Sequence, residues 1–197
     1  MIGAENVKNN TIKSIIVTIL VILILFAIAV FGNYFEHDGL LLENIEKVNG
    51  VKYAFSRGNN YGLYYSDNIG GEYTKISEFA PLSKESVFFD DDFIYFASRE
   101  RKVIAISLSD YKNFIFDIDD RIVNLFGLNK EYLIAKDYNE TNDLIIIDIK
   151  TQKIVDVIMK NGSKIDVTDE ILTFWVSDEF TWYRYYFENG TLEKGNQ

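Results

Sequence analysis

VKYAFSR, residues 51–57, decides how the rest of this chain is read. Large apolar side chains alternate with smaller or polar ones, the period-2 pattern of a strand, and the turn formers Asn49-Gly50 and Asn59-Asn60 bound it. The pattern returns at FIYFASR (93–99), EYLIAKD (131–137) and ILTFWVS (171–177). The anchors Tyr53, Ile94, Tyr132 and Leu172 are 41, 38 and 40 residues apart. A shorter apolar strand precedes each copy across a turn: NIEKV (44–48), SVFF (86–89), IVNLFGL (122–128) and KIDV (164–167). A third strand follows each, as GLYYS (62–66), KVIAIS (102–107), LIIIDI (144–149) and WYRYYF (182–187). A weaker fourth comes last: YTKISEF (73–79), NFIFDI (113–118), KIVDVI (153–158) and TLEK (191–194). After residue 43 the chain is therefore all-β, with at most single helical turns near Lys84-Glu85 and at 110–113.

Four antiparallel strands recurring every 40 residues or so resemble the blades of a β-propeller, over residues 43 to about 194. One meander cannot cover its own apolar faces, so successive copies stack them together. No Trp-Asp dipeptide, Gly-His pair or kelch double glycine recurs at a fixed place. The resemblance is thus to the architecture alone and brings no activity or site residues with it. Four repeats can close into a four-bladed ring, pair with a second copy into an eight-bladed homodimer, or stay open. The reading favours the ring, with Gly39 to Leu42 (GLLL) lying beside TLEK to cover its edge.

Upstream, SIIVTILVILILFAIAVFGNYF, residues 14–35, carries no charge for 22 residues, enough helix to cover a hydrocarbon core of roughly 30 Å. The expected organisation is a cytoplasmic segment 1–13, a transmembrane helix 14–35 contacting the lipid bilayer, a juxtamembrane linker 36–42 and an exported β-domain 43–197. Lys8, Lys13 and the amino terminus before the run, and Glu36, Asp38, Glu43 and Glu46 after it, orient the N-terminus to the cytoplasm. Residues 36–197 are then periplasmic or extracellular. A cleaved signal peptide is the alternative, because Ala27 and Ala29 form an A-x-A site.

Composition narrows the chemistry. With no cysteine and one histidine, the chain has no disulfide, no thiolate nucleophile and no ordinary zinc ligand set. His37, beside the apolar run, is too isolated for a catalytic triad. Setting aside Glu5, Lys8 and Lys13 leaves 29 acidic and 18 basic residues, a net of −11, which repels nucleic acid and favours solubility or a basic protein partner. Carboxylates gather at Asp90 to Asp92, at Asp117, Asp119 and Asp120, and at Asp137, Asn139, Thr141 and Asp143. The last resembles a calcium loop only partly, since Asn142 stands where the EF-hand turn requires glycine. Solvated hairpin turns account for all three. G-x-S-x-G, G-x-G-x-x-G and P-loop patterns are absent.

Two aromatic groups stand out as binding candidates. The densest is Phe174, Trp175, Phe180, Trp182, Tyr183, Tyr185, Tyr186 and Phe187. Alternation along WYRYYF places Trp182, Arg184 and Tyr186 on one face, a mix enriched in interface hot spots. With Trp175 they form one candidate partner-binding set. Tyr61, Tyr64 and Tyr65, with Tyr73, Asn59, Asn60, Gly70 and Gly71 nearby, form a second that could stack on a sugar or peptide or simply pair across strands. The expected function is a non-catalytic, cofactor-free, membrane-anchored protein-binding domain of the cell envelope, as a scaffold or assembly factor or as a toxin-neutralising immunity protein. The alternative is a carbohydrate-binding module or hydrolase using the acidic turns and tyrosines.

Overall fold

A computed structural model of the chain describes residues 34–37, 40–48, 50–58, 60–67, 71–118, 121, 123–138 and 142–195, with Thr18, Ile19 and Val21. Most of the apolar run 14–35 lies outside the described residues. Among the described residues no helix is long and apolar enough to cross a membrane.

The strands fall into four antiparallel sheets, each a consecutive meander. Blade 1 comprises β1 (Tyr34–His37), β2 (Leu40–Val48), β3 (Val51–Ser56), β4 (Gly62–Ser66) and β5 (Thr74–Ser77). Blade 2 comprises β6 (Val87–Phe89), β7 (Phe93–Ala97), β8 (Val103–Ser107) and β9 (Asn113–Phe116), entered through a short 3₁₀ turn at Lys84–Ser86. Blade 3 is built from β10 (Val123–Leu128), β11 (Tyr132–Asp137), β12 (Leu144–Asp148) and β13 (Lys153–Ile158). Blade 4 is built from β14 (Gly162–Val167), β15 (Ile171–Val176), β16 (Thr181–Tyr186) and β17 (Thr191–Lys194). The four repeats read from the sequence are these four sheets, and the architecture is propeller-like.

Three apolar cores join the blades in series. Tyr53, Phe55 and Leu63 of blade 1 pack on Ile94, Phe96, Ile104 and Ile106 of blade 2. The other face of blade 2, with Tyr95, Ala97, Val103, Ala105 and Phe116, packs on Leu133, Ala135, Ile145 and Ile147 of blade 3. The other face of blade 3, with Ile134, Leu144 and Ile146, packs on Leu172, Phe174, Val176, Tyr183 and Tyr185 of blade 4. Central strands are covered on both sides, which is why β8 (VIAIS) and β12 (LIIID) are continuous apolar runs rather than alternating ones. Each fully buried isoleucine here contributes about 1.5–3 kcal/mol over leaving it in water.

One turn recurs between the first and second strands of blades 2, 3 and 4. Asp90 Oδ1 accepts from the backbone N–H groups of Asp92 (2.8 Å) and Phe93 (2.7 Å). Asn129 Oδ1 does the same for Glu131 (3.0 Å) and Tyr132 (2.7 Å), and Thr168 Oγ1 for Glu170 (3.4 Å) and Ile171 (3.0 Å). In each the turn residue's own N–H donates to the carbonyl three residues on. Equivalent turns also touch: Asn129 Nδ2 donates to the Thr168 carbonyl at 3.2 Å, and Lys130 pairs with Asp169 at 2.5 Å.

Close approach of the inner strands has a sequence cost. A Cβ on Gly127 of β10 would stand 2.3 Å from Val167 Cγ2 of β14, so only glycine lets blades 3 and 4 meet there.

Two expectations need correction. Residues 34–37, read as the end of the apolar helix and the start of a linker, form β1, and residues 40–42 of the linker enter β2. Leu40 to Leu42 pair with His37, Glu36 and Phe35 of β1, not with TLEK. A neighbouring hairpin strand is reached by closing a very short loop, whereas TLEK lies some 150 residues away in sequence. Strand β17 pairs with β16 and is the edge of its sheet. Among the described residues no core joins blade 4 to blade 1.

Candidate partner-binding face

Blade 4 has one face against blade 3 and another that no blade covers among the described residues. Alternation sorts them: Thr181, Tyr183 and Tyr185 of β16 are buried, while Trp182 and Arg184 are exposed and Tyr186 is half-buried. On β15, Leu172, Phe174 and Val176 are buried, and Ile171, Thr173 and Trp175 are half-buried. Strand register arranges the uncovered face in three rows. Ser163, Trp175 and Trp182 make the first, Asp166, Thr173, Arg184 and Glu193 the second, and Ile171, Tyr186 and Thr191 the third.

Trp175 and Trp182 meet edge to face with ring centroids 5.5 Å apart, and Lys164 Nζ lies 5.9 Å from the Trp175 centroid. Trp182 keeps 42% of its surface exposed. The Gly195 N–H donates to the Trp182 carbonyl at 2.8 Å, securing the end of β17 beside it. Tyr186 donates to Glu193 Oε2 at 3.1 Å. Arg184 has no carboxylate within ion-pairing distance among the described residues, although Glu193 is its cross-strand neighbour.

A charged knot closes the Trp182 end of the blade. Lys160 Nζ lies 2.5 Å from Glu179 Oε1 and Lys194 Nζ 3.4 Å from Oε2, which also accepts from the Tyr183 hydroxyl. The Lys160 ammonium, then the Tyr183 hydroxyl, hold the Glu179 carboxyl down at about 2. Phe180, beside Glu179, is 71% exposed at φ +48°, and Met159, beside Lys160, is 81% exposed. Nothing local in the sequence points to this knot, because Lys160 and Glu179 are 19 residues apart on different blades' margins.

The first-repeat tyrosines do not converge. Tyr65 faces blade 2 and packs on Tyr111 with centroids 4.7 Å apart, and Tyr61 packs into the same core, its hydroxyl donating to the Ala80 carbonyl at 3.3 Å. Burial, with Tyr111 beside it, raises the Tyr53 phenol in that cluster to about 12. Tyr64 is only 6% exposed on the opposite face with Leu42 and Ala54, donating to the Asn60 carbonyl at 2.7 Å. Tyr73 sits near it and donates to Asn44 Oδ1 at 3.3 Å. Adjacent residues on a strand point to opposite faces, so Tyr64 and Tyr65 are split between two environments. Asn59 and Gly70 lie outside the described residues.

Two of the acidic residues, Asp90 and Asp137, serve the fold. Asp90 holds its turn and its Oδ2 accepts from the Tyr95 hydroxyl at 2.8 Å. Asp137 is buried and paired with Arg121 at 2.9 Å, and its N–H donates to the Asp143 carbonyl. Asp119, Asp120, Asn139 and Thr141 lie outside the described residues. Among the described residues no three metal-ligating side chains gather. His37 falls on β1.

No family model and no curated protein matches the chain. Solved structures do. A chain in the S. cerevisiae complex of Dbp5 L327V bound to Nup159, Gle1 H337R, IP6 and ADP superposes with a TM-score of 0.53 at 17% identity over 76% of this chain. HIRA(644–1017) superposes at 0.47 with 16% identity over 79%, and the N-terminal domain of Nup159 at 0.47 with 15% over 83%. This chain spans 41%, 50% and 43% of those three chains, less than two thirds of each. The first likeness is one of fold, and these four blades match part of a larger propeller-type structure.

Proposed function

We propose that this protein is a non-catalytic, propeller-like binding module, held at a membrane by residues 14–35, that docks a protein partner on the uncovered face of blade 4. The observation that carries this reading is the exposure of Trp182 against Trp175, with Arg184 beside them making no ion pair among the described residues. Aromatic and arginine side chains left in water at the end of an otherwise closely packed array are the composition of interface hot spots. The S. cerevisiae structure with a similar fold is itself described as proteins bound to one another. A tethered, acidic domain in the cell envelope suits a scaffold or assembly factor, or an immunity protein that intercepts an exported toxin. The hydrolase alternative loses support where its acidic turns bind their own backbone.

Crosslinking of tagged full-length protein in native membranes, followed by mass spectrometry, tests the reading when run beside the variant Trp175→Ala/Trp182→Ala. A stoichiometric partner present with the parent and lost with the variant is the expected result. A partner retained by the variant moves the site off blade 4, and protein that fractionates away from membranes removes the anchor.

A further inference from the structure

The uncovered face of blade 4 differs from the interior faces at its centre. In blade 3 the central cross-strand pair is Ile134–Ile146, both buried in the interface with blade 4. In blade 2 it is Tyr95–Ala105, and in blade 1 the pair facing blade 2 next to the centre is Tyr53–Tyr65, all packed into an inter-blade core. In blade 4 the corresponding pair is Thr173–Arg184. A further blade stacked here would bury a guanidinium that makes no ion pair among the described residues, the arrangement that interior faces avoid.

A second copy offers no remedy. In a two-copy ring the face meeting blade 4 is the far side of blade 1. Its central strands there hold Ala54 and Ser56 of β3 and Tyr64 and Ser66 of β4, all already buried, beside the half-buried Lys52, a further cation.

Resting on the reading of blade 4 as the docking face, we propose that its occupant is a polypeptide segment that sets a carboxylate on Arg184, with apolar side chains seated on either side of it. The Trp175–Trp182 row and the Ile171–Tyr186 row flank Arg184 and accept those apolar groups. Asp166 and Glu193 end the charged row, and Glu193 is engaged by Tyr186. An acidic residue away from the centre of the row therefore meets like charge, which fixes the register of the incoming segment. Lys164, whose ammonium rests near the Trp175 ring, adds a second cation at the aromatic end. The net charge of −10 still steers partners with a basic overall surface toward the domain, and the carboxylate operates at contact range.

A displayed library of random twelve-residue peptides, selected on the full chain in mild detergent and resynthesised for titration, tests this. Enriched peptides are expected to carry Asp or Glu between apolar residues. They should lose about tenfold or more in affinity for Arg184→Met, and selection on Arg184→Glu should instead enrich Lys or Arg. Both variants alter an exposed side chain and should melt with the parent. Thr173→Lys, a second variant outside the core, should block binding by crowding the same row. Apolar peptides with no acidic preference that bind Arg184→Met as well as the parent overturn the carboxylate contact and leave protein binding standing. Peptides that bind Trp175→Ala/Trp182→Ala unchanged, or no enrichment at all, overturn both readings. Light scattering that finds a dimer dissociated by Arg184→Glu overturns the proposal in favour of self-association.

Discussion

Blades 3 and 4 share a strand plan and a turn chemistry, yet one has two dry faces and the other has one. Ile134 and Ile146 fill the forward face of blade 3, whereas Thr173 and Arg184 occupy the same place on blade 4. Two residues at equivalent registers thus separate a face that must be covered from one that tolerates water. Blade 4 combines this polar outer face with an exposed tryptophan.

Exchanging the central residues should have the largest effect. Ile146→Arg buries a charge between blades 3 and 4 and should cost about 4 kcal/mol or more. Arg184→Ile, the reverse exchange, should stay within about 0.5 kcal/mol of the parent. Urea unfolding followed by circular dichroism measures both, and similar losses would mean that the blade 4 face is covered after all. The Arg121–Asp137 pair comes next. Arg121→Met takes the guanidinium away from the buried Asp137 carboxylate, and a loss of about 2–3 kcal/mol is expected, with an unchanged midpoint excluding a structural role for the pair.

Gly127→Ala sharpens the account of how the two blades approach. Val167 must yield to the added methyl, at about 1–3 kcal/mol, and a neutral result would show that the inner strands are looser than the 2.3 Å approach implies. Asn129→Ala should cost about 1–2 kcal/mol, because it removes the acceptor of two turn N–H groups and the donor to the Thr168 carbonyl. The smallest effect belongs to Glu179. Its carboxyl is depressed in the folded state, so its contribution is complete above its ordinary value of 4.5 and is lost as pH falls from there through about 2. Between those pH values Glu179→Gln should flatten the acid limb of stability slightly, and less so in high salt because the site is exposed. A salt-independent difference would argue against the ion-pair origin.

The legible part of the fold lay in local pattern. Alternation, turn residues and the spacing of Tyr53, Ile94, Tyr132 and Leu172 are properties of strands and hairpins, which close short loops. The division of WYRYYF into two side-chain sets was legible for the same reason, because side chains alternate on any strand whatever it packs against. Pairing of Leu40–Leu42 with residues 35–37 was missed, since the apolar run hides where a helix stops and a strand begins. The tyrosine group of the first repeat looked like one surface because one-dimensional clustering ignores the two faces of β4.

What the sequence by itself determined is the repeat, its strands, its turn acceptors and the identity of the residues on each side of every strand, all set by steric and hydrogen-bonding rules that act over a few residues. Which face is covered is a tertiary fact. Only the packing of one blade on the next buried Tyr61 and Tyr65, left Trp182 and Arg184 in water and gathered Lys160, Glu179 and Lys194. Contact between residues distant in the chain depends on how whole sheets stack, and no local pattern encodes it.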